Sequence, residues 1–212
     1  MKALVLSLLI IPFLFSCGGG EEEVEETTQP EETEEVVVEE EEVIENKFHI
    51  ETDVCGIFVL GNMVPNLPEE LKMRQFNEMD INDKGEEVEH THNVVFTQLE
   101  DVVDLIMDQG SGEHHEDRLI EEMMVLSNYY ETMDGITVGS TVEDFNLAYP
   151  ENSFYYSSVH NWYYAETPAQ ERIQFIIKSE DVEKKPSGSG EILSMRMEDF
   201  KAGAKIEKIR LH

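Results

Sequence analysis

The fold of this chain is decided by residues 135–150, which read GITVGSTVEDFNLAYP. Ser140 and Glu143 have the spacing of a capping box, in which two side chains satisfy backbone N–H groups at the start of a helix. Apolar residues then recur at helical intervals until Pro150, which ends the segment: Val142, Phe145, Ala148 and Tyr149. The stretch therefore predicts a helix of about two to three turns, preceded by glycines that mark tight turns.

Outside this stretch the sequence predicts mainly strands. Runs rich in β-branched and aromatic residues alternate with clusters of turn residues, which is typical of antiparallel sheets. Pro65 and Pro68 leave the first crossover, which follows the strand 56–60, with at most one helical turn. The predicted strands are 56–60, 74–81, 86–96, 102–108, 119–127, 154–158, 161–165, 172–178, 191–197 and 205–211.

The two halves of the chain have similar residues at corresponding positions. Gly135-Ile136 has a counterpart in Gly56-Ile57, and the halves close on similar strands that begin at Ile120 and Ile206. Such self-similarity predicts a tandem duplication of a unit of about 80 residues, and chance recurrence among similar strands is the alternative. The predicted fold class is therefore α+β and strand-rich, with two tandem units of antiparallel meander sheet and a short crossover helix.

The repeat units are predicted at residues 48–130 and 131–212. Residues 135–150 resemble the modules of small outer-membrane-assembly lipoproteins and of tandem β-lactamase-inhibitor proteins, which place a glycine, a polar cap and a short amphipathic helix in this order. The resemblance covers these sixteen residues. It implies a binding or scaffold module rather than an enzyme.

The N-terminus has the pattern of an export signal. Lys2 is followed by an almost unbroken apolar run from Ala3 to Phe15, which is shorter than the roughly 20 residues that span a membrane. Leu14-Phe15-Ser16-Cys17 resembles the lipobox of bacterial lipoproteins. The resemblance implies that residues 1–16 are removed as a signal peptide and that Cys17 then carries acyl chains, such as palmitate, as a membrane anchor. An ordinary Cys after a cleaved signal is the alternative.

An acidic tether is predicted after the anchor, over residues 17–47. Gly18 to Lys47 contains fourteen Glu and one Lys, so it cannot bury enough apolar surface to fold, and a flexible coil of this length averages about 30 Å end to end. The acidic run resembles the surface-export signal of Bacteroidetes lipoproteins, and a plain solvated spacer is the alternative. The resemblance implies a lipid-anchored protein of the bacterial cell envelope at the outer membrane. Both the outer surface and the periplasmic face of that membrane are open as its location.

The whole chain is strongly acidic, with a formal net charge of -32 at pH 7. From Phe48 onward, 33 acidic residues stand against 13 basic ones, so the predicted folded part is itself close to -20. A surface of this sign repels nucleic acid and favours cationic groups on a partner. We therefore predict no nucleic-acid partner.

An aromatic hairpin is the strongest candidate for a binding surface. Residues 154–164 read FYYSSVHNWYY, and a hairpin with a two-residue turn places Phe154, Tyr156 and Tyr163 on one face. The other face then carries the typical binding anchors Tyr155, Trp162 and Tyr164. We predict that these three residues contact an envelope protein or a glycan. The alternatives are that the second repeat or the crossover helix covers them, or that the aromatic residues only serve strand propensity.

Catalytic and metal-binding patterns are weak. His90 and His92 alternate on one predicted strand face, and residues 113–117 read EHHED, which could bind a divalent metal or be a solvated acidic loop. Cys55 lies in an apolar run and is predicted to be a buried hydrophobic residue. We predict a non-catalytic binding or structural module without a cofactor, and the alternative is a metal- or carboxylate-dependent envelope hydrolase.

Overall fold

The computed structural model describes residues 48–81, 87–108 and 118–212. The predicted signal peptide, Cys17, the tether and the loop 113–117 lie outside the described residues. The elements in the described ranges are β1 His49–Glu51, β2 Val54–Cys55, β3 Phe58–Val59, β4 Lys72–Ile81, β5 Glu87–Phe96, β6 Asp101–Met107, β7 Ile120–Val125, β8 Glu131–Thr132, α1 Val142–Ala148, β9 Ser153–Ser157, β10 Trp162–Glu166, β11 Ile173–Ile177, β12 Ile192–Met195 and β13 Ile206–Leu211. No helix in these ranges is long and apolar enough to cross a membrane.

Nine of the strands form one antiparallel sheet in the order β12-β9-β10-β11-β13-β7-β6-β5-β4. Strands β4 to β7 form a meander that runs from one edge of the sheet toward its middle. Strands β9, β10 and β11 form a second meander on the other side. The chain then crosses to β12, which lies at the outer edge beside β9, and returns to β13, which pairs with β11. The two meanders join where β13 pairs with β7, with Ile209 opposite Val125.

The predicted fold class is confirmed, because the chain is α+β, rich in strands and built from two antiparallel meanders with a short helix before the second. All ten predicted strands agree with observed ones to within two residues at each end, although the prediction 56–60 also includes the turn before the short strand β3. The origin of the halves by duplication, with units at 48–130 and 131–212, stays a prediction.

A smaller sheet has the order β3-β2-β1-β8, in which β1 pairs antiparallel with β2 and parallel with β8. The predicted strand 56–60 is longer than the observed strand β3, because the chain turns at Gly56 between β2 and β3. Gly56 has a φ of 59°, and Gly135, its counterpart in the second half, has a φ of 76°. Both glycines therefore occupy the left-handed region, which a side chain disfavours.

The helix α1 begins one residue later than the capping pattern predicts. Thr141, rather than Ser140, is the N-cap: its Oγ1 accepts a hydrogen bond from the backbone N–H of Asp144 at 3.0 Å. The Asp144 carboxylate accepts one in return from the backbone N–H of Thr141 at 3.1 Å, and the hydrogen bonds from Thr141 lower the pKa of Asp144. Glu143 instead accepts a hydrogen bond from the backbone of Gly203, and Ser140 accepts one from the backbone of Thr137. The predicted Ser140–Glu143 box is therefore wrong, because these two side chains are used by neighbouring loops.

The helix and the small sheet pack against one face of the nine-stranded sheet, which we call the core face. Phe145 of α1 lies 4.7 Å, between ring centroids, from Phe175 of β11, and both are fully buried. The buried hydrophobic residues of α1, of the small sheet and of the connecting segments all belong to this core. We call the opposite face of the nine-stranded sheet the distal face.

Candidate partner surface on the distal face

The strand register places the predicted aromatic residues on the distal face. Tyr155 of β9 is opposite Tyr164 of β10, and their ring centroids are 5.5 Å apart. Tyr156 and Tyr163 are the adjacent pair, and they pack with the core on the other face. The predicted division of the hairpin into two faces is therefore confirmed. The predicted two-residue turn is wrong, because β9 and β10 are joined by the four residues 158–161, with Asn161 at a φ of 55°.

Tyr155, Trp162 and Tyr164 form a hydrophobic cluster with residues from neighbouring strands, and we call it the aromatic cluster. Its other members are Met124, Leu126 and Ile176. Tyr164 is only 4% exposed, whereas Tyr155 and Trp162 are partly buried. Burial, together with the nearby Glu166 and Tyr155, raises the pKa of Tyr164. Tyr164 is thus corrected to a supporting residue, and Tyr155 and Trp162 present the accessible aromatic surface.

Arg210 of β13 connects the aromatic cluster to a polar network. Its guanidinium lies 5.4 Å from the centroid of the Trp162 ring, a distance typical of a cation–π contact. Arg210 Nη2 donates to Glu122 Oε2 at 2.5 Å, and Nη1 donates to Gln174 Oε1 at 3.1 Å. The Nε atom of Arg210 is buried and has no hydrogen-bond partner in the described part of the protein. Arg210 is therefore held by the sheet on one side and lies against Trp162 on the other.

A cavity of about 230 Å³ opens beside this network. His160 stacks on Trp162 with ring centroids 4.8 Å apart, and both line the cavity together with Arg210. The remaining lining residues are Ser157, Val159, Tyr164, Gln174, Glu191 and Ile192. Among these lining residues, Val159 and Ile192 are 59% and 60% exposed. A cavity lined by aromatic, apolar and hydrogen-bonding side chains can take a side chain or a sugar ring.

A histidine and a carboxylate are paired at the other end of the distal face. His92 Nδ1 lies 2.5 Å from Asp104 Oδ2, and Asp104 Oδ1 accepts a hydrogen bond from the backbone N–H of Asn93. His92 Nε2 lies 3.7 Å from Glu78, and Phe76 stacks on the imidazole ring. The pairing can orient the imidazole ring for proton transfer at Nε2. Within the described ranges, no three His, Cys, Asp or Glu side chains are placed to hold a metal ion.

Cys55 is fully buried in the core, and its thiol is free. Burial raises the pKa of this thiol, so it remains protonated at neutral pH. The prediction that Cys55 is a buried hydrophobic residue is therefore confirmed.

Sequence reasoning missed Arg210, Glu122 and Gln174. These residues lie on three different strands, and only the sheet register brings them beside Trp162. One signal was available: Arg210 stands between Ile209 and Leu211, so it must point away from the core of the sheet.

No protein-family model, curated protein or solved structure matches this chain.

Proposed function

We propose that this chain is a non-catalytic binding module of the bacterial cell envelope, and that its partner binds the distal face at Tyr155, Trp162 and the neighbouring cavity. The single observation that supports this most is the position of Trp162. This large aromatic residue is partly accessible, lies beside a cavity and is held by an ion-paired Arg210. Aromatic residues in such settings dominate the binding energy of interfaces.

The proposed partner is an envelope protein or a glycan that offers cationic or hydrogen-bonding groups next to an apolar surface. Glu122 neutralises Arg210, while Glu166 and Glu191 add negative charge near the aromatic cluster. The folded part of the chain is acidic as a whole, so the long-range field favours an approaching cation. Aromatic contacts would provide most of the affinity, and the field would mainly set the association rate and its dependence on salt.

We further propose that Cys17 is lipidated, so that the folded part is displayed at the outer membrane on the tether of residues 17–47. The support is the lipobox-like sequence at residues 14–17 and the acidic composition that follows it. Two or more acyl chains on one residue are sufficient for stable membrane anchoring.

The binding proposal is tested by capturing partners from envelope extracts of the source organism and then comparing variants. We expect Trp162→Ala to weaken binding by about 2 kcal/mol and Tyr155→Ala to weaken it as well, since both remove accessible aromatic surface. Tyr156→Ala is the matched control, because Tyr156 is the same residue type on the same hairpin but packs on the core face. Equal capture by Trp162→Ala and the unmodified chain would reject the proposed surface.

A further inference from the structure

Strand β4 forms the long outer edge of the nine-stranded sheet. It pairs with β5 over ten residue pairs without a register shift, and no strand among the described residues pairs with its other edge. All residues from 72 to 79 are exposed, including Met73, Phe76 and Met79 at 42%, 41% and 58%. A long, regular edge with exposed apolar residues is a template for pairing with another strand.

The sequence of β4, KMRQFNEMDI, is complementary to itself in the antiparallel direction. If two copies pair about Phe76, Arg74 of each lies opposite Glu78 of the other. The same register puts Met73 opposite Met79 and Gln75 opposite Asn77. In this register the two Phe76 residues face each other. Each of these pairs therefore joins opposite charges, two apolar or aromatic side chains or two amides, and none places like charges opposite each other, which would be destabilising.

We propose that β4 is a homodimerisation edge, at which two copies of this chain pair antiparallel around a two-fold axis through Phe76. Such an interface is isologous, because the same residues contribute from both copies. A parallel arrangement in register would instead place Arg74 against Arg74 and Glu78 against Glu78. The charge order of the strand thus selects the antiparallel dimer.

The contacts that Arg74 and Glu78 make within one copy leave both available to a second one. Arg74 Nη2 donates to Asp101 at 2.5 Å, yet its side chain is 47% exposed, and a guanidinium has five N–H donors. Glu78 is 67% exposed and lies 3.7 Å from His92. Pairing across the edge adds contacts to these side chains without breaking the ones they already have.

The first test locates the axis by disulfide cross-linking of the full chain in its membrane. A Phe76→Cys substitution should give a covalent dimer under mild oxidation, because directly opposed residues of antiparallel strands lie about 4.5–5.5 Å apart at Cα, within disulfide range. Leu147→Cys is the control for random collision, since Leu147 is 77% exposed on α1, which packs against β11 and not against β4. The unmodified chain, with Cys17 and the buried Cys55, sets the background. Cross-linking of Leu147→Cys as fast as Phe76→Cys would overturn the proposal.

The second test reverses the charges of Arg74 and Glu78. Arg74→Glu and Glu78→Arg, each alone, should raise the dimer dissociation constant at least tenfold in sedimentation of the full chain in detergent, because each change brings like charges together twice in the symmetric dimer. The double variant Arg74→Glu/Glu78→Arg should restore dimerisation. An equal mixture of the two single variants should do so as well, because the mixed pair regains both attractive contacts. A chain that is monomeric at every concentration, or single variants that dimerise like the unmodified chain, would refute the pairing.

Discussion

Replacing Glu122 by Gln removes the negative charge that faces Arg210 beneath Trp162. The two side chains are 17% and 16% exposed and are joined by a hydrogen bond of 2.5 Å. Breaking a fully buried ion pair costs about 3–5 kcal/mol, and a hydrogen bond to a charged group contributes about 1.5–3 kcal/mol. Because each side chain retains some access to water, and because Arg210 keeps its contacts to Gln174 and Trp162, we expect a loss of about 2 kcal/mol in the free energy of unfolding.

The matched control is Glu198→Gln at the exposed pair of Arg196 and Glu198. That pair is 2.7 Å apart, but its side chains are 65% and 68% exposed. Exposed pairs contribute about 0–1 kcal/mol, so we expect a change of no more than about 0.5 kcal/mol there. The comparison separates the effect of burial from the effect of removing one negative charge.

Urea unfolding of the full chain measures both variants by far-ultraviolet circular dichroism and by tryptophan fluorescence. Trp162 is the only tryptophan, so its emission reports directly on the neighbourhood of Arg210. A double-mutant cycle with Arg210→Met should give a coupling energy of about 1–2 kcal/mol. If Glu122→Gln destabilises the chain no more than Glu198→Gln does, the ion pair does not support the aromatic cluster as described.

Three further outcomes are expected. Cys17→Ser should yield a chain that no longer partitions with detergent, and an unmodified Cys17 in the mass spectrum of protein from its own host would contradict the proposed anchor. Thr141→Ala should lower the free energy of unfolding by about 1 kcal/mol in thermal or urea unfolding, because it removes the helix cap. Glu143→Gln is the comparison, and a larger loss of stability in that variant would show that the cap is placed wrongly. Cys55 should react with a soluble alkylating reagent only after unfolding, since it is fully buried and its pKa is raised; labelling of the folded chain would contradict that burial.

Local sequence patterns were enough to predict most of the sheet. The strands that precede and follow the turns were found because β-branched and aromatic residues alternate with glycine, asparagine and serine clusters. The helix was found for a similar reason, since Val142 and Phe145 have helical spacing. Its first residue was misplaced, because Ser140, Thr141, Glu143 and Asp144 provide two overlapping capping boxes of the same spacing. Only contacts to Thr137 and Gly203, which are set by tertiary structure, decide between them.

The candidate surface was predictable only in part. Alternation along a strand determines which side chains share a face, so Tyr155, Trp162 and Tyr164 could be grouped from the sequence. Their exposure could not be predicted, because it depends on residues from other strands. Tyr164 is buried against Ile176 of the next strand and Met124, which lies 40 residues earlier in the chain.

The sequence by itself determined the strand-rich class, the acidic charge and the division of the aromatic hairpin into two faces, since each follows from composition or from the period of neighbouring residues. Tertiary structure alone decided that the helix packs on one face of the sheet, that Arg210 meets Trp162, and that β4 is left at the edge. These features depend on which distant strands pair and in which register. Many alternative pairings satisfy the same local patterns, and the complete core must form before one is selected.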